Sequence, residues 1–178
     1  SNFMRKLSNS LMILCCLFFQ AVLGNENTSF DHGKWNDLLQ AHVSEAGNVN
    51  YKQFQGSESK LDVYLGEISS AVIDEKIWSK NEQLAFWINA YNAFTVKLIL
   101  NHYPTKSIKE ISSPWDKKFF KIGGKKMNLN TIEHKILRAK FDEPRIHFAI
   151  VCASFSCPKL HHKAFTAQNV QANLASLT

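Results

Sequence analysis

Apolar positions recur along the chain with two different periods. Trp35 to Val43 (WNDLLQAHV) sets Trp35, Leu38, Leu39 and His42 at helical spacing before Glu45-Ala46-Gly47-Asn48 breaks the pattern with turn chemistry. Ser59 to Ile68 repeats it with Leu61, Tyr64, Leu65 and Ile68. The longest helix is expected from Asn81 to His102, apolar on most sides and therefore internal, with Pro104 marking its end. Lys118 to Leu129 reads as two short extended runs around Gly123-Gly124, a hairpin pattern.

Asn130 is the expected N-cap of a helix TIEHKILRAKF, with Glu133 at the third position completing a capping box and Ile132, Ile136 and Ala139 as its buried face. Pro144 stops it. Arg145 to Val151 is β-branched and aromatic, which predicts a central strand covered on both faces. Strand alternation then sets His147 beside Arg145 and Ala149, and Cys152 on the opposite face with Phe148 and Ile150. An amphipathic segment, Ala167 to Leu177, follows Pro158, and there are no internal repeats. The expected fold class is α+β: a helical cluster around a long buried helix with a small sheet.

The first 24 residues change how the composition is read. Arg5 and Lys6, the apolar Leu11 to Phe19 and the exit Val22-Leu23-Gly24 form a secretory signal peptide pattern, too short for the roughly 20 apolar residues of a membrane helix. An uncleaved N-terminal anchor is the alternative. Ser1-Asn2-Phe3 ahead of Met4 read as a cloning remnant. The expected organisation is residues 1–24 as signal peptide with that remnant, 25–34 as a polar tether, and 35–178 as a single domain. Export, to a periplasmic or extracellular location, follows.

Hydrophobic residues at 45%, charged residues at 20% and aromatic residues at 12% suit an ordinary globular core and argue against disorder. Without Arg5 and Lys6 the 21 basic residues become 19 against 15 acidic, a mildly basic +4. Clusters at Lys117-Lys118 and Lys125-Lys126 read as solvated surface, so nucleic-acid binding is not expected, and a membrane is engaged only through the signal segment. Self-association is an expectation for the surviving domain.

Cys15 and Cys16 leave with the signal, so Cys152 and Cys157 are the two thiols of the mature chain, both in CASFSC. Three chemistries suit them. Cys152 can act as a nucleophile given a base, with His134, His147, His161 and His162 available and Glu133 or Asn92 as orienters. Cys152 and Cys157 can form a local disulfide, favoured by an oxidising compartment. Two thiols with a histidine can hold zinc, although C-x4-C is not a tight zinc spacing. Asn89 and Asn92, three apart on the buried helix, must find partners; they fasten a neighbouring loop or orient an imidazole.

Four phrases, GNVNYKQF, EQLAFWINAYNAFTVKLIL, MNLNTIEHKILR and PRIHFAIVCASFSCPKL, together resemble the domain-of-unknown-function 547 family (DUF547), over about His42 to Thr178. The resemblance implies a papain-like or transglutaminase-like thiol enzyme with a Cys-His-Glu set. On this chain that set is Cys152 with His134 and Glu133; Asn89 and Asn92 fall in WINAYNA, and Arg145 and His147 in PRIHFA. Domains of the family run longer, which implies a C-terminal truncation here.

The expectation is an exported cysteine hydrolase or acyl transferase acting on amide or peptide-like bonds of a peptide-like or small-molecule substrate. Cys152 is the nucleophile, His134 the base and Glu133 an orienter. His147, Asn89, Asn92, Arg145, Ser154 and Cys157 are supporting or alternative residues, with no metal and no cofactor. The alternative is a non-catalytic envelope binding module with a Cys152–Cys157 bridge.

Overall fold

A computed structural model describes residues 29–151 and 159–178. Its helices are α1 (Gly33–His42), α2 (Tyr51–Phe54), α3 (Glu58–Ser70), α4 (Lys80–His102), α5 (Arg138–Lys140), α6 (Ile146–Ala149) and α7 (Val170–Ser176). A 3-10 turn, Gln55–Ser57, joins α2 to α3, and a π-helical stretch, Thr131–Leu137, runs into α5. Strands β1 (Phe120–Ile122) and β2 (Lys125–Met127) pair antiparallel, with Phe120 opposite Met127. The class is α+β.

Helix α4 is the axis of the molecule, and its start is set by chemistry at Ser79. The Ser79 hydroxyl accepts the Glu82 amide at 3.1 Å while the Glu82 carboxylate accepts the Ser79 amide at 2.8 Å, a capping box. Such a cap contributes about 1 kcal/mol. From Gln83 to Val96 every side chain is buried, which is why the helix carries almost no amphipathic stripe. Helix α3, the π-helical stretch and α7 pack around it. The hairpin docks through a stack of Phe120 on Phe94, centroids 3.9 Å apart, and the Gly123 amide donates to Ser69 O at 3.1 Å. Among the described residues no helix is long and apolar enough to cross a membrane.

The stretch expected as a tether through residue 34 is drawn into the fold at its end. Helix α1 starts at Gly33, Phe30 packs on the core, and buried His32 meets the Tyr64 hydroxyl through Nδ1 at 2.8 Å. Burial lowers the His32 pKa to about 4, against the weaker upward pull of Asp31.

Three local expectations are corrected. The helix cap before TIEHKILR is Asn128 rather than Asn130: Asn128 Oδ1 accepts the Thr131 amide and hydroxyl, both at 2.8 Å, while Asn130 already has helical dihedrals. Glu133 therefore completes no capping box. The buried face of this helix is Ile132, Ile136 and Leu137, with Ala139 exposed, because a wider turn of i to i+5 bonds, such as Arg138 N to Glu133 O, delays the inward phase.

The third correction concerns the expected central strand at Arg145–Val151, which is instead the single turn α6 followed by extended backbone from Ile150. Successive amides of Ile146, His147 and Phe148 fold back onto the carbonyls of Glu143, Pro144 and Arg145. Glu143 fastens the start by accepting from the Arg145 amide, Nε and Nη2. Among the described residues no neighbouring strand pairs with it, the hairpin being their only sheet. Strand parity is lost with the strand: Ile146, Ala149 and Ile150 are buried, and His147 and Phe148 are exposed.

Candidate functional site

Helix α4 presents Asn89 and Asn92 on one face, both buried at 0% and 2% exposure, and each amide grips a backbone segment from both ends. Asn92 Nδ2 donates to Ala149 O at 2.9 Å, and its Oδ1 accepts the Val151 amide at 3.0 Å. Asn89 Nδ2 donates to Phe165 O at 2.7 Å, and its Oδ1 accepts the Phe165 amide at 3.0 Å. A side-chain amide has a donor and an acceptor side by side, so it supplies the pairing that a neighbouring strand would otherwise give. Both asparagines thus fasten neighbouring backbone, and these bonds leave neither amide hydrogen-bonded to an imidazole.

The chain re-enters the described region at Lys159 against the turn at Gly47. Gly47 has a φ of +80°, and a Cβ placed there would stand 2.5 Å from that of Lys159 and 3.0 Å from Leu160 O. Only glycine allows this approach. Cys152, Ser154 and Cys157 lie outside the described residues. The backbone on both sides of them is held by one helix, through Asn92 before and Asn89 at Phe165, and packs against the Gly47 turn immediately after.

Tyr91, between the two asparagines, turns toward Glu133, its hydroxyl 3.5 Å from Oε2. Burial raises the Tyr91 pKa above the usual phenol range, and the Glu133 carboxylate adds to the rise. The other carboxylate oxygen receives Arg138 Nε at 3.1 Å and Nη2 at 2.9 Å. Glu133 is therefore committed to Arg138 and does not hold the ring of His134, which is exposed. Helix α4 consequently touches both the IEH phrase, through Tyr91, and the segment leading to Cys152, through Asn92.

The remaining candidates are spread out. His147 is exposed on α6. Arg145 is tied to Glu143, with Nη2 to Oε2 at 2.6 Å, and to Gln171 Oε1 at 2.7 Å; this pairing lowers the Glu143 pKa. Arg145 thus links α6 to α7. His161 receives the Lys163 amide on Nδ1 at 3.3 Å and stacks beside His162, and burial lowers its pKa. Among the described residues no cluster of three His, Cys, Asp or Glu is placed to hold a metal.

Sequence reasoning missed Tyr91, Arg138 and Gly47. Tyr91 was visible as the polar-tipped residue inside WINAYNA. Arg138 sits five residues after Glu133, a spacing that pairs across a π turn rather than the ordinary i, i+4 turn. Gly47 belongs to the turn that breaks the α1 pattern, and nothing local marks its long-range neighbour Lys159.

A family model described as "Protein of unknown function, DUF547" matches residues 76–178. That span contains α4, the IEH helix and the cysteine segment. No curated protein and no solved structure matches the chain.

Proposed function

The chain belongs to the DUF547 family, proteins of unknown function, and from that premise we propose that it is an exported thiol hydrolase or acyl transferase acting on amide or peptide-like bonds. In this reading Cys152 Sγ attacks the carbonyl carbon and His134 takes the thiol proton. The tetrahedral oxyanion is met by the backbone N–H groups of Ala153 and Ser154. His134 then returns the proton to the leaving amine, and water or a second amine resolves the thioester. Glu133 acts at one remove, fixing the helix that carries His134. The proposal includes a papain-like or transglutaminase-like arrangement of these groups.

The observation that carries this reading is the double reach of helix α4. Asn92 secures Ala149 and Val151 directly ahead of Cys152, and Tyr91 one residue earlier contacts Glu133 next to His134. Elements that must be mutually positioned for such chemistry share one rigid support. The test is labelling of the full chain by iodoacetamide across pH under reducing conditions, compared with Cys152→Ala. A Cys152-dependent rate persisting well below pH 8 is expected for an activated thiolate. A rate following an ordinary thiol near 8.5 overturns the reading.

One observation favours the second reading, a binding module with a Cys152–Cys157 bridge. Both His134 and His147 are exposed, and the Glu133 carboxylate is occupied by Arg138. Intact mass with and without reductant separates the two: a native mass lower by two hydrogens supports the bridge, and two free thiols support the enzyme.

A further inference from the structure

The hairpin concentrates charge that nothing inside the described fold balances. Lys117, Lys118, Lys121, Lys125 and Lys126 are all exposed, and none belongs to an ion pair among the described residues. Lys121 stands directly opposite Lys126 across the ladder, a placement in which like charges weaken strand pairing. Asp116, the acid next to this run, is taken up by Asn130 Nδ2 at 2.6 Å.

The inward side of the same hairpin borders a groove of about 660 Å³. Trp87, Ile122, Met127 and Ile136 line its apolar part, and Lys125 and Val72 stand at its edge. Val72, 84% exposed, adds an apolar side chain at the rim of this groove. The acid in this groove, Glu75, is matched by Lys140.

We propose that the hairpin and groove dock on an anionic phospholipid bilayer, the lysines meeting headgroup phosphates while Val72 and the groove receive an acyl segment. Four to eight basic residues clustered beside a membrane-spanning helix or on an amphipathic helix are a recognised footprint for anionic lipid, and the five lysines of the hairpin region match that number. The exposed valine and apolar groove extend that footprint beyond charge alone. A single phosphate is a poor fit, because the lysines project from an exposed ribbon rather than converging on one point. Single-stranded nucleic acid fits less well: Phe119 and Phe120 turn inward onto Phe94 and offer no stacking platform. The inference is independent of any chemistry at Cys152.

The test is co-sedimentation of the full chain with phosphatidylcholine vesicles, with and without about one-third phosphatidylglycerol. Phosphatidylglycerol should raise the bound fraction severalfold, and about 0.5 M salt should remove that gain. The triple variant Lys121→Glu, Lys125→Glu, Lys126→Glu should lose the gain while keeping the wild-type thermal midpoint, since all three side chains are solvent-facing. Val72→Ser should weaken binding severalfold with the salt dependence intact. No gain from phosphatidylglycerol, a gain unchanged in the triple variant, or tighter binding to duplex DNA than to the vesicles at equal charge and ionic strength overturns the proposal.

Discussion

The side-chain oxygen of Asn92 accepts the Val151 amide at 3.0 Å, one residue ahead of Cys152, while its nitrogen donates to Ala149. A buried helix residue thereby does for an irregular segment what a neighbouring strand would do. Truncation tests this. Asn92→Ala leaves a buried carbonyl and a buried N–H without partners, at about 1 to 3 kcal/mol each. Urea unfolding should show a loss of about 2 to 5 kcal/mol. A loss below about 0.5 kcal/mol would mean that water or another group readily takes over both bonds.

Gly47 offers a second test at the other flank. Gly47→Ala must hold a positive φ and displace Lys159, so a cost of about 1 to 3 kcal/mol is expected. For a chain of this size that corresponds to a thermal midpoint lower by about 2 to 12 °C. Gly56→Ala, where an added Cβ meets nothing within 4 Å, is the control and should leave the midpoint nearly unchanged.

Buried His32 makes a pH prediction with a definite sign. Its folded pKa of about 4 lies below the ordinary 6.5, so between these values the unfolded chain binds a proton that the folded chain does not. Stability contributed by the neutral imidazole is full above about 6.5, falls as pH drops, and levels off below about 4. The total over that window is on the order of 3 kcal/mol. Urea midpoints from pH 7 to pH 4 should fall more steeply for the wild type than for His32→Gln. Parallel profiles would show that His32 is not shielded from solvent.

Particular residues explain how far the sequence could be read. Helix α4 was legible because the apolar residues between Leu84 and Leu100 fall on most sides of it and must be buried, and the hairpin because Gly123 and Gly124 supply the two positive φ angles its turn requires. The segment Arg145–Val151 misled because β-branched composition reports packing preference and not the presence of a partner strand. Glu143 and Asn92, distant in the chain from each other, decide its shape. Asn89 and Asn92 were recognisable as buried amides needing partners; which backbone they would hold depends on contacts 57 to 76 residues away. The commitment of Glu133 to Arg138 rests on a π turn that no ordinary helical period reveals.

Asn89 and Asn92 lie three residues apart on one helix, so their hold points are separated by about 4.5 Å of axial rise. Four hydrogen bonds hang from that short span. The entrance and exit of the cysteine-bearing stretch are in effect pinned to a common rod, and neither can drift without the other. Whatever adjustment a bound molecule or a change of oxidation state asks of this stretch must be found between its pins, and is not passed on by loosening the walls around it.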